Sequence, residues 1–238
     1  MSIFSSMDLN NVETSKDTLG GTFERLESDI YPAIIKTIYL TSSKGGAKAA
    51  NIVADVAGKE YREQLWITNS KGEGYYVNKK TGNKVMLPGL QTLAELVFCG
   101  IEKELKDLDT QERVFKVYDY DLKQEVNKPV ETIIEMMGVE VDLAIVKEIV
   151  DKNVKNESTG AYEPSGETRE QNAIEKVFHR ASRKTANEAK AGDDATYYDA
   201  WLKKNKGVVR NKAKGVKKEG TAGAPQKVAE QPRKSLFS

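Results

Sequence analysis

The feature that most constrains the fold is a succession of β-type segments separated by short turns between residues 30 and 67. Residues 30–40 are rich in β-branched and aromatic side chains, a composition typical of strands. Residues 48–56 and 59–67 flank Ala57-Gly58, and this spacing predicts a tight hairpin. We therefore expect three neighbouring strands in this part of the chain.

Shorter elements are expected between residues 68 and 151. Apolar residues at helical spacing predict a helix at 90–98, and a second short helix is favoured at 130–137. Strand patterns cover residues 75–77, 84–87, 114–120 and 140–151. Short strands with glycine-containing turns and brief helices indicate a small barrel with inserted elements. The fold class we predict is mainly β with inserted short helices (α+β), built around a barrel.

The last third of the chain has a different pattern. Residues 168–206 favour helices, because Thr168 and Gln171 have capping-box spacing and residues 195–204 carry aromatics at helical spacing. From residue 207 the chain is rich in Lys, Gly, Ala and Pro, with almost no apolar residues before Leu236. Such a segment cannot bury enough surface to offset its ordering entropy, so a disordered tail is predicted at 207–238.

Composition removes several chemistries. His179 and Cys99 are single residues of their kind, so neither a His/Cys zinc site nor an intrachain disulfide can form within one chain. No phosphate-loop or nucleophile-elbow motif occurs, and His179 is interpreted as structural. We therefore expect no catalytic residues, no metal and no cofactor. No run approaches the roughly 18 apolar residues of a membrane helix and no secretory signal is recognisable, which favours the cytoplasm.

Charge is strongly segregated along the chain. Residues 203–238 contain eleven Lys or Arg residues and two Glu, whereas the preceding 202 residues carry a net charge of −8. A basic tail attracts polyanions through counterion release, so it is interpreted as a nucleic-acid tether or, alternatively, as a solubilising segment. Any nucleic-acid groove on the acidic body must therefore be locally basic.

The strands interleave aromatic and basic residues, which is what a single strand of nucleic acid requires. Exposed bases stack on aromatic rings while cations follow the phosphates. In the loop at 41–48, two glycines permit close backbone approach beside two lysines, although a plain flexible connection fits equally well. The strand aromatics have the alternative of lying in the core. The candidate DNA-binding residues are Lys36, Tyr39, Lys44, Lys48, Tyr61, Arg62, Trp66, Tyr75, Tyr76, Lys79 and Lys84.

Short motifs across most of the chain resemble the single-stranded DNA-binding proteins of tailed phages. These motifs are DTLGG at 17–21, YPAIIKTIY at 31–39, GGA at 45–47, YRE at 61–63, WITN at 66–69 with Gly72, LPG at 87–89, VYD at 117–119, ETRE at 167–170, IEKVF at 174–178 and PRKSLF at 232–237. The resemblance implies an OB-like fold, no catalytic activity, and cooperative coating of single strands during phage DNA replication, recombination and repair.

This resemblance divides the chain into an N-terminal arm (1–20), an OB-like domain with C-terminal helical elements (21–206) and the basic tail. Many single-stranded DNA-binding proteins end in an acidic tail that recruits partners, whereas this tail is basic. Docking of phage replication or recombination proteins would therefore fall to Leu236 and Phe237, although an incidental chain end is the alternative. The implied location is the host cytoplasm.

Two other functions remain open at this point. A metal-dependent nuclease would use carboxylates such as Asp119 and Asp121. A structural protein would use its tail merely to hold nucleic acid. Oligomeric state is not fixed by the sequence.

Overall fold

Three antiparallel strands, β1 (Asp29–Ser42), β2 (Lys48–Val56) and β3 (Lys59–Trp66), form the first part of the fold. They belong to a computed structural model that describes residues 25–119, 124–156 and 162–214. Ala57 and Gly58 both have positive φ angles, 51° and 80°, as a type I′ hairpin turn requires. The predicted hairpin is confirmed.

The middle of the chain adds two hairpins and a helix. The first hairpin joins β4 (Tyr75–Val77) to β5 (Lys84–Met86), and α1 (Pro88–Ile101) follows it directly. The second joins β6 (Gln111–Asp119) to β7 (Gln124–Thr132). Single 3₁₀ turns lie at Leu105–Asp107 and Ile134–Met136. The helix predicted at 90–98 is confirmed, whereas the helix predicted at 130–137 is wrong, because its start belongs to β7 and only one 3₁₀ turn follows.

Two long strands, two short helices and one short strand complete the described chain. They are β8 (Glu140–Lys155), β9 (Tyr162–His179), α2 (Ala186–Ala191), α3 (Tyr197–Asn205) and a last short strand, β10 (Val209–Asn211). None of the helices among the described residues has the length and apolar character needed to cross a bilayer.

The C-terminal predictions are partly wrong. Residues 168–179 belong to β9, and the capping box that forms joins Thr185 to Glu188 at the start of α2. The helix predicted at 195–204 is confirmed as α3. Residues 207–214 are placed, since β10 pairs in parallel with Lys147–Ile149 of β8, so disorder does not begin at residue 207. The arm at 1–20 and the tail beyond residue 214 lie outside the described residues.

The large sheet runs β3-β2-β1-β8-β9. The β6–β7 hairpin pairs with β1 at Tyr39 and Thr132, on the edge of β1 whose first half pairs with β8. The strand β10 pairs with β8 on the edge that β8 also uses to pair with β1. The part of the chain that the structure describes is thus mainly β, with a large, mostly antiparallel sheet and three helices. No closed barrel of continuous strand pairing is present among the described residues. The two end strands nevertheless meet, because the backbone N–H of Ile174 in β9 donates to the Glu63 carboxylate of β3 at 2.8 Å.

The main core lies between the inner face of this sheet and α1. Leu93, Leu96 and Val97 of the helix pack against inward residues of β1, β2, β3, β8 and β9. A second, smaller core covers the other side of β8, where Trp201 of α3 packs with Phe178. Residues 141–146 of β8 are therefore buried on both faces. The outer face of β1, β2 and β3 lies on the opposite side from α1 and carries the polar and aromatic residues considered below.

Glu63 accepts the hydrogen bond that joins β3 to β9, and its burial predicts a specific pH dependence of stability. Burial raises the pKa of Glu63 to about 7, and the Glu148 carboxylate adds to the rise, although hydrogen bonds from Tyr61 and Ile174 oppose it. The unfolded chain releases this proton near pH 4.5, so the folded state binds more protons between these two values. The free energy of unfolding therefore falls as the pH rises through this window.

Glu63→Gln should weaken this fall by up to about 1.4 kcal/mol per pH unit, as measured by urea denaturation at several pH values between about 5 and 7. Glu112→Gln, on the exposed surface of β6, is the control and should keep the wild-type slope. An unchanged slope in Glu63→Gln would contradict the assigned protonation.

Candidate nucleic-acid interface

Two loops and one hairpin meet at one end of the sheet, and we call residues 43–48 and 66–86 the lysine-rich end. The backbone N–H of Lys48 donates to Thr68 Oγ1 at 2.8 Å, and the N–H of Ile67 donates to the carbonyl of Lys48 at 2.9 Å. Gly46, with a φ of 84°, lies so near Ser70 that a Cβ would come within 3.3 Å of its carbonyl oxygen. Glycine at this position therefore brings the β1–β2 loop beside the β3–β4 loop.

Asparagine side chains build the turns at this end. Asn69 Oδ1 accepts from the N–H groups of Lys71 and Glu73 at 2.9 and 3.0 Å. In the β4–β5 hairpin, Asn78 Oδ1 accepts from the N–H of Lys80 at 2.9 Å. Such local side-chain bonds fix tight turns and leave the lysines between them pointing outward. All of these lysines are exposed.

The lysine-rich end has a local charge opposite to that of the body. It contains six lysines and a single acid, Glu73. Hydrogen bonds from Asn69 and Tyr75 lower the pKa of Glu73, so it remains ionised. The net local charge is +5, which meets the requirement for a basic patch on an acidic chain. The lysines are Lys44, Lys48, Lys71, Lys79, Lys80 and Lys84.

Exposed aromatic side chains lie among these lysines. Trp66 and Tyr76 are each 47% exposed, far more than aromatic residues in a core. Tyr75 is half-buried: its hydroxyl donates to Glu73 at 3.1 Å, and the Lys84 ammonium lies 4.3 Å from its ring centre. Trp66 and Tyr76 are therefore available for stacking, whereas one side of Tyr75 is already occupied.

A close backbone contact holds Trp66 in this position. Gly89, at the start of α1, lies against the backbone of Trp66, and a Cβ there would be 2.4 Å from the Trp66 carbonyl oxygen. Because no side chain fits in that space, the helix start fixes the end of β3 and leaves the indole directed to solvent.

The outer sheet face holds three more of the predicted residues, and each already has a protein partner. Lys36 lies 3.9 Å from Asp55 and 4.0 Å from Glu60. Arg62 pairs with Glu60 at 2.8 Å and with Glu125 at 3.8 Å. The ring of Tyr39 stacks on Phe115 of the β6–β7 hairpin with 6.0 Å between ring centres. This face is aromatic and polar but close to neutral in charge.

The prediction for Tyr61 is wrong. The strand alternation directs Tyr61 inward with Leu65, and only 8% of Tyr61 is exposed. Its hydroxyl donates to Glu63 Oε2 at 2.6 Å. A buried tyrosine cannot stack on a base. Of the other ten predicted residues, seven belong to the lysine-rich end: Lys44, Lys48, Trp66, Tyr75, Tyr76, Lys79 and Lys84.

Sequence reasoning missed several residues of this region. Lys71 and Lys80 follow the same loop signal as their neighbours and could have been included. Phe115 reaches Tyr39 only through the tertiary position of its hairpin, which no local pattern indicates. Leu236 and Phe237, proposed for partner docking, lie outside the described residues, as does Asp121.

Comparisons with known proteins add no family, and the described residues add no metal centre. No protein-family model matches the chain, and no curated protein matches it. Within residues 25–119, 124–156 and 162–214, no group of three or more His, Cys, Asp or Glu side chains could hold a metal ion.

The Gly89 contact can be tested directly. Gly89→Ala should destabilise the chain by about 1–3 kcal/mol, because the added methyl group meets backbone atoms that cannot rotate away. Gly45→Ala is the matched control, since its Cβ would meet nothing closer than Ser43 Oγ at 3.9 Å. Thermal or urea denaturation measures both. Equal stability of the two variants would show that α1 does not fix the end of β3.

Proposed function

We propose that this chain binds and coats single-stranded DNA without catalysing a reaction, largely independently of sequence. The observation that carries the proposal is the lysine-rich end, which carries six lysines, one acid and the exposed rings of Trp66 and Tyr76. The lysines neutralise phosphates, and the rings stack on bases. Bases in a duplex are already stacked, so this combination favours single strands.

The strand order supports an OB-like interpretation of the sheet. Three meandering strands are followed, after the β4–β5 hairpin, by α1. After the β6–β7 hairpin, β8 pairs with β1 and β9 pairs with β8. Glu63 joins the two end strands through one side-chain contact, as in a barrel that is partly open. OB-folds bind oligonucleotides on the face of strands 2 and 3 and on the loops between strands 1 and 2 and between strands 4 and 5. In this chain β2, β3 and the loop containing Lys44 correspond to the first three of these elements.

The biological role we propose follows the resemblance to tailed-phage proteins. Coating of single strands would serve phage DNA replication, recombination and repair in the host cytoplasm. The basic residues after residue 203 would add sequence-independent affinity. Leu236 and Phe237 would dock replication or recombination proteins.

Trp66 offers a direct test, because the chain has only two tryptophans and they differ in exposure. Trp201 is 3% exposed and its indole N–H donates to Glu175 at 2.7 Å, so its fluorescence reports on the protein core and not on the surface. In a Trp201→Phe variant, oligo-dT should quench the remaining Trp66 fluorescence. Trp66→Ala should weaken oligo-dT binding by about 1–3 kcal/mol, the usual contribution of one stacked base.

Tyr197→Ala is the control for a general loss of aromatic surface. Tyr197 is 44% exposed at the start of α3, the helix that packs on β8, and its removal should leave oligo-dT affinity unchanged. If Trp66→Ala binds oligo-dT as tightly as Tyr197→Ala, stacking on Trp66 is not part of the function.

A further inference from the structure

A chain of hydrogen-bonded polar side chains crosses the outer face of the sheet beside Trp66. Asn51 Nδ2 lies 2.8 Å from Thr41 Oγ1 and 3.3 Å from the carbonyl oxygen of Tyr39. Gln64 Nε2 lies 3.0 Å from Asn51 Oδ1. Residues 39, 51 and 64 are direct neighbours across β1, β2 and β3, so the contacts follow from the strand register.

This network fixes the orientation of both amides. The carbonyl oxygen of Tyr39 can only accept, so the Asn51 atom that faces it must be the amide nitrogen. Asn51 Oδ1 therefore points toward β3 and must receive a donor. Gln64 can supply that donor only through its own amide nitrogen, which leaves Oε1 and the second N–H of Gln64 for other partners.

The outward amide of Gln64 presents an acceptor and a donor side by side. Gln64 is exposed, and among the described residues no hydrogen-bond partner is present for its Oε1. An oriented glutamine amide is complementary to adenine, whose exocyclic amino group lies next to a ring-nitrogen acceptor. Adenine offers this pair on two edges, through N7 or through N1. The partly buried Asn51 holds the amide ready, which reduces the entropy lost on binding.

The position of Gln64 suits a base that stacks on Trp66. Both residues lie on the outer face of β3 two positions apart, which corresponds to about 7 Å along the strand. A base lying on the indole would direct one edge toward residue 64. The other neighbour of the network, Tyr39, is stacked on Phe115, so the amides lie between two aromatic groups.

From this arrangement we infer that Gln64 reads the edge of a base stacked on Trp66 and gives the protein a modest preference for adenine. The inference rests on the proposed binding of single-stranded DNA and deepens it. Lysine contacts to phosphates still supply most of the affinity, so the preference is added to sequence-independent binding.

The test compares oligo-dA with an oligonucleotide of the same length in which purine replaces adenine and so lacks only the exocyclic amino group. The full chain should bind oligo-dA about five- to tenfold more tightly in a fluorescence-anisotropy titration. Gln64→Ala should bind the two strands equally. Gln124→Ala, which removes an exposed glutamine from β7, should keep the wild-type preference.

Each alternative outcome is informative. Equal binding of the two strands by the wild-type chain, or a preference that survives in Gln64→Ala, overturns the inference about Gln64 while leaving the proposed function in place. Absence of binding to these strands and to oligo-dT overturns the proposed function and this inference together. Far-ultraviolet circular dichroism confirms that each variant is folded before its titration is interpreted.

Discussion

Burial of β8 on both faces organises this protein. Its residues 141–146 face the main core under α1 on one side and the smaller core under Trp201 on the other. The same strand pairs with β1, β9 and β10, so it fixes the order of the sheet. Because α1 covers the inner face and α3 lies over β8, the outer face of β1, β2 and β3 is left as a surface. The lysines of the lysine-rich end lie in the loops and the hairpin at one end of these strands.

The sequence predicts the strands best where alternation is regular and the turn is explicit. The strands β2 and β3 were predictable because Ala57-Gly58 marks their turn, and α1 because its leucines recur at helical spacing. The strand β9 could not be predicted in this way, because a register shift opposite Ala144 and Ile145 interrupts the alternation of its inward and outward side chains. Ile174 and Val177, three positions apart, therefore both reach the main core, while Phe178 reaches the smaller one. Apolar residues three positions apart are also typical of one face of a helix, so the sequence favoured a helix here. A similar irregularity in β1 places both Ile35 and Ile38 in the core.

The residue types of the candidate site could be predicted from the sequence, but the face of the strand on which each residue lies could not. Lysines in turn-rich segments are almost always exposed, so Lys44, Lys79 and Lys84 could be chosen from the sequence. The choice between Tyr61 and Trp66 depended on strand register, because a shift of one residue exchanges the two faces of a strand. The pairing of Lys36 and Arg62 with acids from β2, β3 and β7 is a tertiary effect. It explains why the basic patch lies at the end of the sheet and not across its outer face.

We propose that the folded body, and not the basic tail, selects single strands. A chain that ends after Lys214 tests it, because β10 and its contacts with β8 are retained. The measurement is a fluorescence-anisotropy titration of this chain with oligo-dT and with a duplex of equal length. We predict retained binding to oligo-dT and little binding to the duplex. Loss of binding to both would contradict the account, because the tail would then supply the affinity and the lysine-rich end would need another explanation.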